Sequence, residues 1–168
     1  ADVVGATFGT AGVGWLMIVP LDGAVAAASR TYTVGERGTA GQFVAAVPAA
    51  RALTGEALQP GRTEVHGEAP GRSYLGLVNP DPASALTVEI ELADGDSRLL
   101  GTLEATVPPG ALLQLDRVLR RVTGSDLGAA SAILRPAVCG RPYLAYVSLV
   151  EGRTGDAVYL AAAPLGPP

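Results

Sequence analysis

Lysine is missing from this chain. All 12 basic residues are arginine, and asparagine occurs once, at Asn79. With abundant Ala, Gly, Pro and Val, that is the composition expected of a GC-rich genome. Positive charge is also scarce and scattered: the net charge is −4, and the densest basic group, Arg117, Arg120 and Arg121, sits on one short segment. Nucleic-acid recognition calls for a basic face, often with stacking aromatics. One Trp, five Tyr and two Phe do not furnish one, so no nucleic-acid partner is expected. The single cysteine, Cys139, rules out an internal disulfide; its turn-like setting in 138–142 predicts a partly buried, inert thiol. The single histidine, His66, lies in a loop-like stretch and has no cluster of Cys or His with which to hold zinc. No apolar run approaches the roughly 18–20 residues a spanning helix needs, so no membrane span is expected. The first residue is Ala1 and no signal peptide is visible, which reads as a processed or trimmed chain.

What is present suits a β-protein. Hydrophobic residues make up 48% and charged residues 17%, enough for a substantial core. Residues 86–92 alternate cleanly: Leu86, Val88, Ile90 and Leu92 point inward, and Thr87, Glu89 and Glu91 outward. The run Asp94-Gly95-Asp96-Ser97 is turn chemistry. Leu99, Gly101, Leu103, Ala105 and Val107 are expected on the inner face of the return strand. Residues 72–79 read as a strand ended by Pro80 and Pro82, which cannot donate to a ladder. The corner Pro108-Pro109-Gly110 leads to a short strand at 111–115.

Residues 116–122 form the one helical piece. Leu115, Val118, Leu119 and Val122 recur at helical spacing. Asp116 is expected to cap its start and Gly124 to end it, leaving the three arginines on the wet side. Strands at 129–135, 143–150 and 157–163 follow. The middle one, apolar on both faces, suits a central position. About seven short strands with frequent turns are the pattern of an immunoglobulin-like sandwich.

The chain also repeats itself. Residues 34–46 (VGERGTAGQFVAA) register without a gap on residues 150–162 (VEGRTGDAVYLAA), an offset of 150 − 34 = 116. The match extends back to Gly12/Gly128 and Pro20/Pro136. On that basis 13–19 corresponds to 129–135, 24–34 to 140–150, and 40–47 to 156–163. The stretch 1–50 is therefore expected to be a three-strand partial repeat, 51–71 a connector with a short strand at 63–66, 72–163 a seven-stranded sandwich, and 164–168 a tail.

Candidate chemistry is sparse. Asp94 and Asp96 flank Gly95, and Glu151 and Asp156 share a loop. Calcium favours such oxygen-rich loops, but turn chemistry accounts for both. Glu89, Glu91 and Glu104 form an outward face, which paired-carboxylate hydrolysis could use. On an antiparallel strand such a face is ordinarily solvated and guards against edge aggregation. Gly9, Gly12 and Gly14 do not stand between a strand and a helix as a phosphate loop must. No Gly-x-Ser-x-Gly elbow is present. No catalytic, cofactor-binding or metal-binding residue is therefore assigned, no cofactor is expected, and the chain is not expected to be an enzyme.

Four phrases point to a family: residues 29–32 (SRTY) leading to 38–43 (GTAGQF); 72–80 (RSYLGLVNP); 107–110 (VPPG) leading to 114–115 (QL); and 145–148 (AYVS) leading to 153–156 (RTGD). Together they resemble the immunoglobulin-like β-sandwich repeats of large exported proteins from GC-rich bacteria. The resemblance covers nearly the whole chain. It implies export, an extracellular or cell-surface location, a tandem array, and a structural or adhesive role without catalytic residues. Cys139 departs from the pattern. Neighbouring repeats or identical subunits are the expected partners, meeting the chain through its N-terminal strands. Two alternatives stay open: a carbohydrate- or ligand-binding module using Tyr74, Tyr143, Tyr146 or Tyr159, and an accessory subunit of an envelope complex.

Overall fold

A computed structural model of the chain describes residues 3–9, 12–35, 38–61, 71–124 and 129–166. The described residues are mostly antiparallel β-structure. A hairpin of β1 (Ala28–Gly35) and β2 (Gly38–Ala45) comes first. Nine strands then make two facing sheets: β3 (Ala57–Gly61), β4 (Arg72–Val78), β5 (Leu86–Asp94), β6 (Leu99–Val107), β7 (Leu112–Asp116), β8 (Ala130–Pro136), β9 (Leu144–Val150), β10 (Ala157–Ala161) and β11 (Ala163–Pro164). One sheet has the order β10-β9-β4-β7 and the other β11-β3-β8-β5-β6. Leu75, Leu77, Leu115, Ala145 and Val147 from the first sheet and Val88, Ile90, Val107 and Leu134 from the second are buried. All but Val147 belong to one apolar core between the sheets, a β-sandwich held by alternate residues of each strand.

The expected hairpin forms as β5 and β6, with Leu86, Val88, Ile90 and Leu92 all buried. Its far end departs from strict alternation. Leu92 pairs with Gly101 and Ala93 with Leu99, so Leu100 is the extra residue of a bulge that turns the start of β6 over. Leu99, expected inside, is 63% exposed, and Leu100 packs against the core in its place. As the apolar pattern of 143–150 requires, β9 lies inside its sheet, between β10 and β4.

The segment 51–71, expected as a connector, contributes to the sandwich. Leu53 bridges Tyr143 through two backbone hydrogen bonds of 2.8 Å. β3 pairs with β8 along its whole length. Pro60 and Gly61 make this stretch look like a loop, and its short apolar pattern hides the strand. What holds it is the ladder to β8, the buried Ala57, and the Gln59 side-chain amide donating to the Leu160 carbonyl at 3.2 Å. The expected strand at 63–66, with His66, lies outside the described residues. The tail is also partly engaged: Pro164 pairs with Ala57, and the Leu165 N–H donates to the Glu56 carbonyl at 2.9 Å.

Two α-helical turns, α1 (Val3–Phe8) and α2 (Val118–Thr123), and a 3-10 turn at Ala49–Arg51 complete the described fold. α2 buries Val118 and Leu119 in the core and ends at Gly124, whose N–H donates to the Arg120 carbonyl in a left-handed cap. Its start differs from expectation. Arg117, not Asp116, occupies the cap position, with positive φ and no side-chain hydrogen bond to the helix. The Arg117 N–H instead follows the sheet and donates to the Ser73 carbonyl at 3.1 Å. Arg117, Arg120 and Arg121 are exposed, as the helical spacing predicts.

Candidate functional site

The N-terminal residues decide where a site can be. The β1–β2 hairpin matches the β9–β10 hairpin strand for strand: adding 116 to the bounds of β1 gives 144–151, against Leu144–Val150 for β9. The same step takes β2 to 154–161, which contains β10. α1 and α2 agree within one residue. The registers differ by two. Val150 pairs with Ala157 in the second hairpin, whereas Val34 pairs with Thr39 in the first. An even shift keeps every side chain on its face, so the first hairpin simply has the tighter turn.

The third strand expected within residues 1–50 is different. Residues 13–20 form no ladder with any described strand. Val13, Leu16, Met17, Ile18, Val19 and Leu21 lie between 54% and 102% exposed. The segment is tethered by the half-buried Trp15, whose indole N–H donates to the Gly110 carbonyl at 3.0 Å. The sequence pattern is that of a strand, but a strand needs neighbours, and this one has none among the described residues.

Gly110 belongs to a braced corner. Asn79, only 2% exposed, donates its side-chain amide to the Ser84, Val107 and Pro108 carbonyls at 2.8, 3.2 and 3.0 Å. Its Oδ1 accepts the Asp81 N–H at 3.1 Å. The Asp81 carboxylate takes the N–H groups of Ala83 and Ser84, and these bonds, aided by Arg141, hold its pKa below the usual aspartate value. Thus Asn-Pro and Pro-Pro-Gly, separate in sequence, form one joint.

A cleft of about 300 Å³ opens between the β1–β2 hairpin and the sheet that carries β9. Tyr32, Gln42, Arg72, Tyr74, Gln114 and Tyr146 are among its lining residues. The Ser148 hydroxyl donates to Gln42 Oε1 at 2.8 Å, linking hairpin to sheet. The Tyr146 hydroxyl donates to Gln114 Oε1 at 3.2 Å, and its ring stacks on Tyr159 with centroids 5.1 Å apart. Burial raises the pKa of both phenols, with the neighbouring Tyr159 adding to the effect on Tyr146. The Arg72 guanidinium lies 5.8 Å from the Tyr74 ring centroid. Tyr143 is elsewhere: it is fully buried, donates to the Gly55 carbonyl at 2.8 Å, and has its pKa pushed up to about 12 by burial and by the charge of Glu56.

The other candidates have structural partners. Asp94 accepts the N–H groups of Asp96 and Arg98, closing the β5–β6 turn. Glu91 pairs with Arg135 at 2.6 Å, while Glu89 stands 3.9 Å from the same guanidinium and directly opposite Glu104. The hydrogen bond to Glu91 raises the Arg135 pKa. Glu151 accepts from the N–H groups of Thr154 and Arg153, which lowers its pKa and folds the Arg-Thr-Gly-Asp loop around it. Gly9 closes α1, its N–H donating to the Gly5 carbonyl at 3.0 Å. Cys139, expected to be partly buried, is exposed. Every resolved shift among the described residues moves a group further from neutral pH. Among those residues no three His, Cys, Asp or Glu side chains gather as metal ligands, and no helix is long and apolar enough to cross a membrane.

These features define a two-sheet antiparallel β-sandwich preceded by a hairpin and an unpaired apolar segment. No family model and no curated protein matches the chain. Among solved structures it is similar to the crystal structure of Thermotoga maritima 1070, at 14% identity and a TM-score of 0.52, over 67% of this chain and 95% of that one. It is also similar to the Anabaena sensory rhodopsin transducer, at 14% identity and a TM-score of 0.42, over 55% of this chain and 84% of that one. At this identity the first likeness speaks for the fold alone, and the second carries no argument.

Proposed function

We propose that this chain is a non-catalytic structural or assembly module of an exported bacterial protein: an immunoglobulin-like repeat that stands in a tandem array or joins a strand-complemented polymer at the cell surface. The observation that carries the reading is the repeated hairpin. Two hairpins that match strand for strand, 116 residues apart, support a chain built from repeating units. A partial unit completes its core with strands from a neighbour, and open apolar strands that find none aggregate. The braced corner and the Glu151 loop support a scaffold, since their polar groups are used in holding turns.

Cys139 provides the test of location. A membrane-impermeant maleimide applied to intact cells of the source organism labels an exported module at this exposed thiol. Labelling that appears only after lysis overturns export.

A second reading, a ligand-binding module, is favoured by one observation: Tyr74 and Tyr146 line the cleft beside Arg72. Aromatic faces of this kind suit saccharides. Saturation-transfer NMR with a panel of oligosaccharides tests it. Signal lost on Tyr146→Ala supports the reading; no signal, or one that survives Tyr146→Ala and Tyr74→Ala, removes it.

A further inference from the structure

We infer that residues 13–19 are the central strand of a second sandwich, and that their partner is the first half of another repeat unit, a strand block of the β3–β7 kind. This deepens the assembly reading and rests on it. Under the offset of 116, residues 13–19 correspond to 129–135 and so to β8, an interior strand with β3 on one edge and β5 on the other. The offset also fixes a register. Leu134 stands between Ala57 and Ile90, and Ala132 between Gln59 and Leu92. Ile18 corresponds to Leu134, and Leu16 to Ala132. Both would face inward, since Ala130, Ala132 and Leu134 are the buried face of β8.

Leu16 and Ile18, 55% and 54% exposed, take the buried places of Ala132 and Leu134, whereas Met17 and Val19 take those of Ile133 and Arg135 on the outer face. Burying the inward pair removes on the order of 100 Å² of apolar surface, at about 60–120 Å² for each fully exposed side chain, and the ladders to two flanking strands add main-chain hydrogen bonds. The open edge of β1 adds ladder bonds, because its counterpart β9 pairs with β4 as well as β10. It adds little burial. Where β9 turns Ala145 and Val147 inward, β1 carries Ser29 and Thr31. The gain is therefore concentrated at 13–19.

A second copy of this chain does not fit as the occupant. Its β3 and β5 already hold its own β8, so the slot is filled. Its edge strands, β6, β7, β10 and β11, could each satisfy only one side of the segment. Strand addition gains from main-chain bonds on every free edge, which favours a slot with two.

The experiment is a fusion in which a duplicate of residues 49–116 precedes residue 1 of the full chain. The added Asp116 then leads into Ala1 just as Asp116 leads into Arg117 in the existing unit. Amide hydrogen exchange is read at 13–19. Exchange near the intrinsic rate in the parent and at least ~100-fold slower in the fusion supports the proposal. Val88→Asp with Ile90→Asp in the added block should abolish the protection. Because Leu16 is larger than the Ala132 it replaces, a companion fusion carries Leu16→Ala. The proposal is overturned by 13–19 staying unprotected while 72–161 is protected, or by both fusions failing to fold. It is also overturned if the parent alone gains protection in a concentration-dependent oligomer, which makes a second copy the partner. Cell labelling of Cys139 can succeed or fail independently, so the assembly reading and this partner are judged apart.

Discussion

Replacing Asn79 by alanine tests the joint on which the sandwich corner depends. The amide gives up three carbonyl contacts and the Asp81 N–H loses its acceptor. The contact to Val107 is buried, so its loss carries the full cost of a stranded polar group, about 1–3 kcal/mol. The contacts to Ser84 and Pro108 are partly wet, and water recovers some of each, leaving ~0.5–1 kcal/mol apiece. The sum is about 2–5 kcal/mol, a large share of the 5–15 kcal/mol typical of a domain. Asn79→Asp has nearly the same shape but the opposite consequence for charge. It places carboxylate oxygens against three carbonyl oxygens, so at pH 7 it should be less stable than alanine. At pH 4 the gap should narrow as the carboxyl takes a proton and becomes a donor. Urea unfolding followed by far-UV circular dichroism at both pH values measures this, with an unchanged m-value as the check that the same surface unfolds. An aspartate variant as stable as alanine at pH 7, or an alanine variant within ~0.5 kcal/mol of the parent, refutes the hydrogen-bond account.

Three further outcomes follow from the same geometry. Gly76→Ala drives a methyl into the Tyr146 ring on the neighbouring strand; overpacking of this kind costs about 1–3 kcal/mol and should lower Tm and change the near-UV circular dichroism of the Tyr146–Tyr159 stack. Stability should be flat near neutrality and fall at both extremes. Glu151 and Asp81 have folded-state pKa values below their unfolded ones, so their contribution is present above the ordinary carboxylate range and is lost as pH falls through it. Tyr143 has its folded-state pKa raised from 10.0 to about 12, so its contribution holds below pH 10 and is lost as pH rises toward 12. Tm measured from pH 3 to 11 checks both limbs, and Tyr143→Phe should flatten the alkaline one. Cys139, finally, should react with one equivalent of Ellman's reagent in the native protein at the rate of a free thiol; slow reaction that urea accelerates contradicts its exposure.

Much of the fold was legible where local pattern and burial agree. The β5–β6 alternation, the proline stops after β4, the Gly124 cap and the interior position of β9 all follow from residue spacing. Legibility failed where the deciding contact is distant. β3 contains Pro60 and Gly61 and looks like a linker; only β8 alongside it makes it a strand. Leu99 lies outside because the adjacent Leu100 is the extra residue of a bulge, and this turns the start of the return strand over. Asp116 has the side chain for a cap, yet the pull of Ser73 on the Arg117 N–H sets the helix start.

The candidate site divides in the same way. The sequence alone determined that 34–46 registers on 150–162 at an offset of 116 and that 13–19 has the pattern of a strand, because periodicity and self-similarity are properties of residue order. The tertiary structure decided what that pattern is worth. β1 and β2 close on each other because a hairpin's partner is its own neighbour in the chain. Residues 13–19 stay open because a central strand's partners come from distant segments, and the only β3 and β5 described here are already taken by β8.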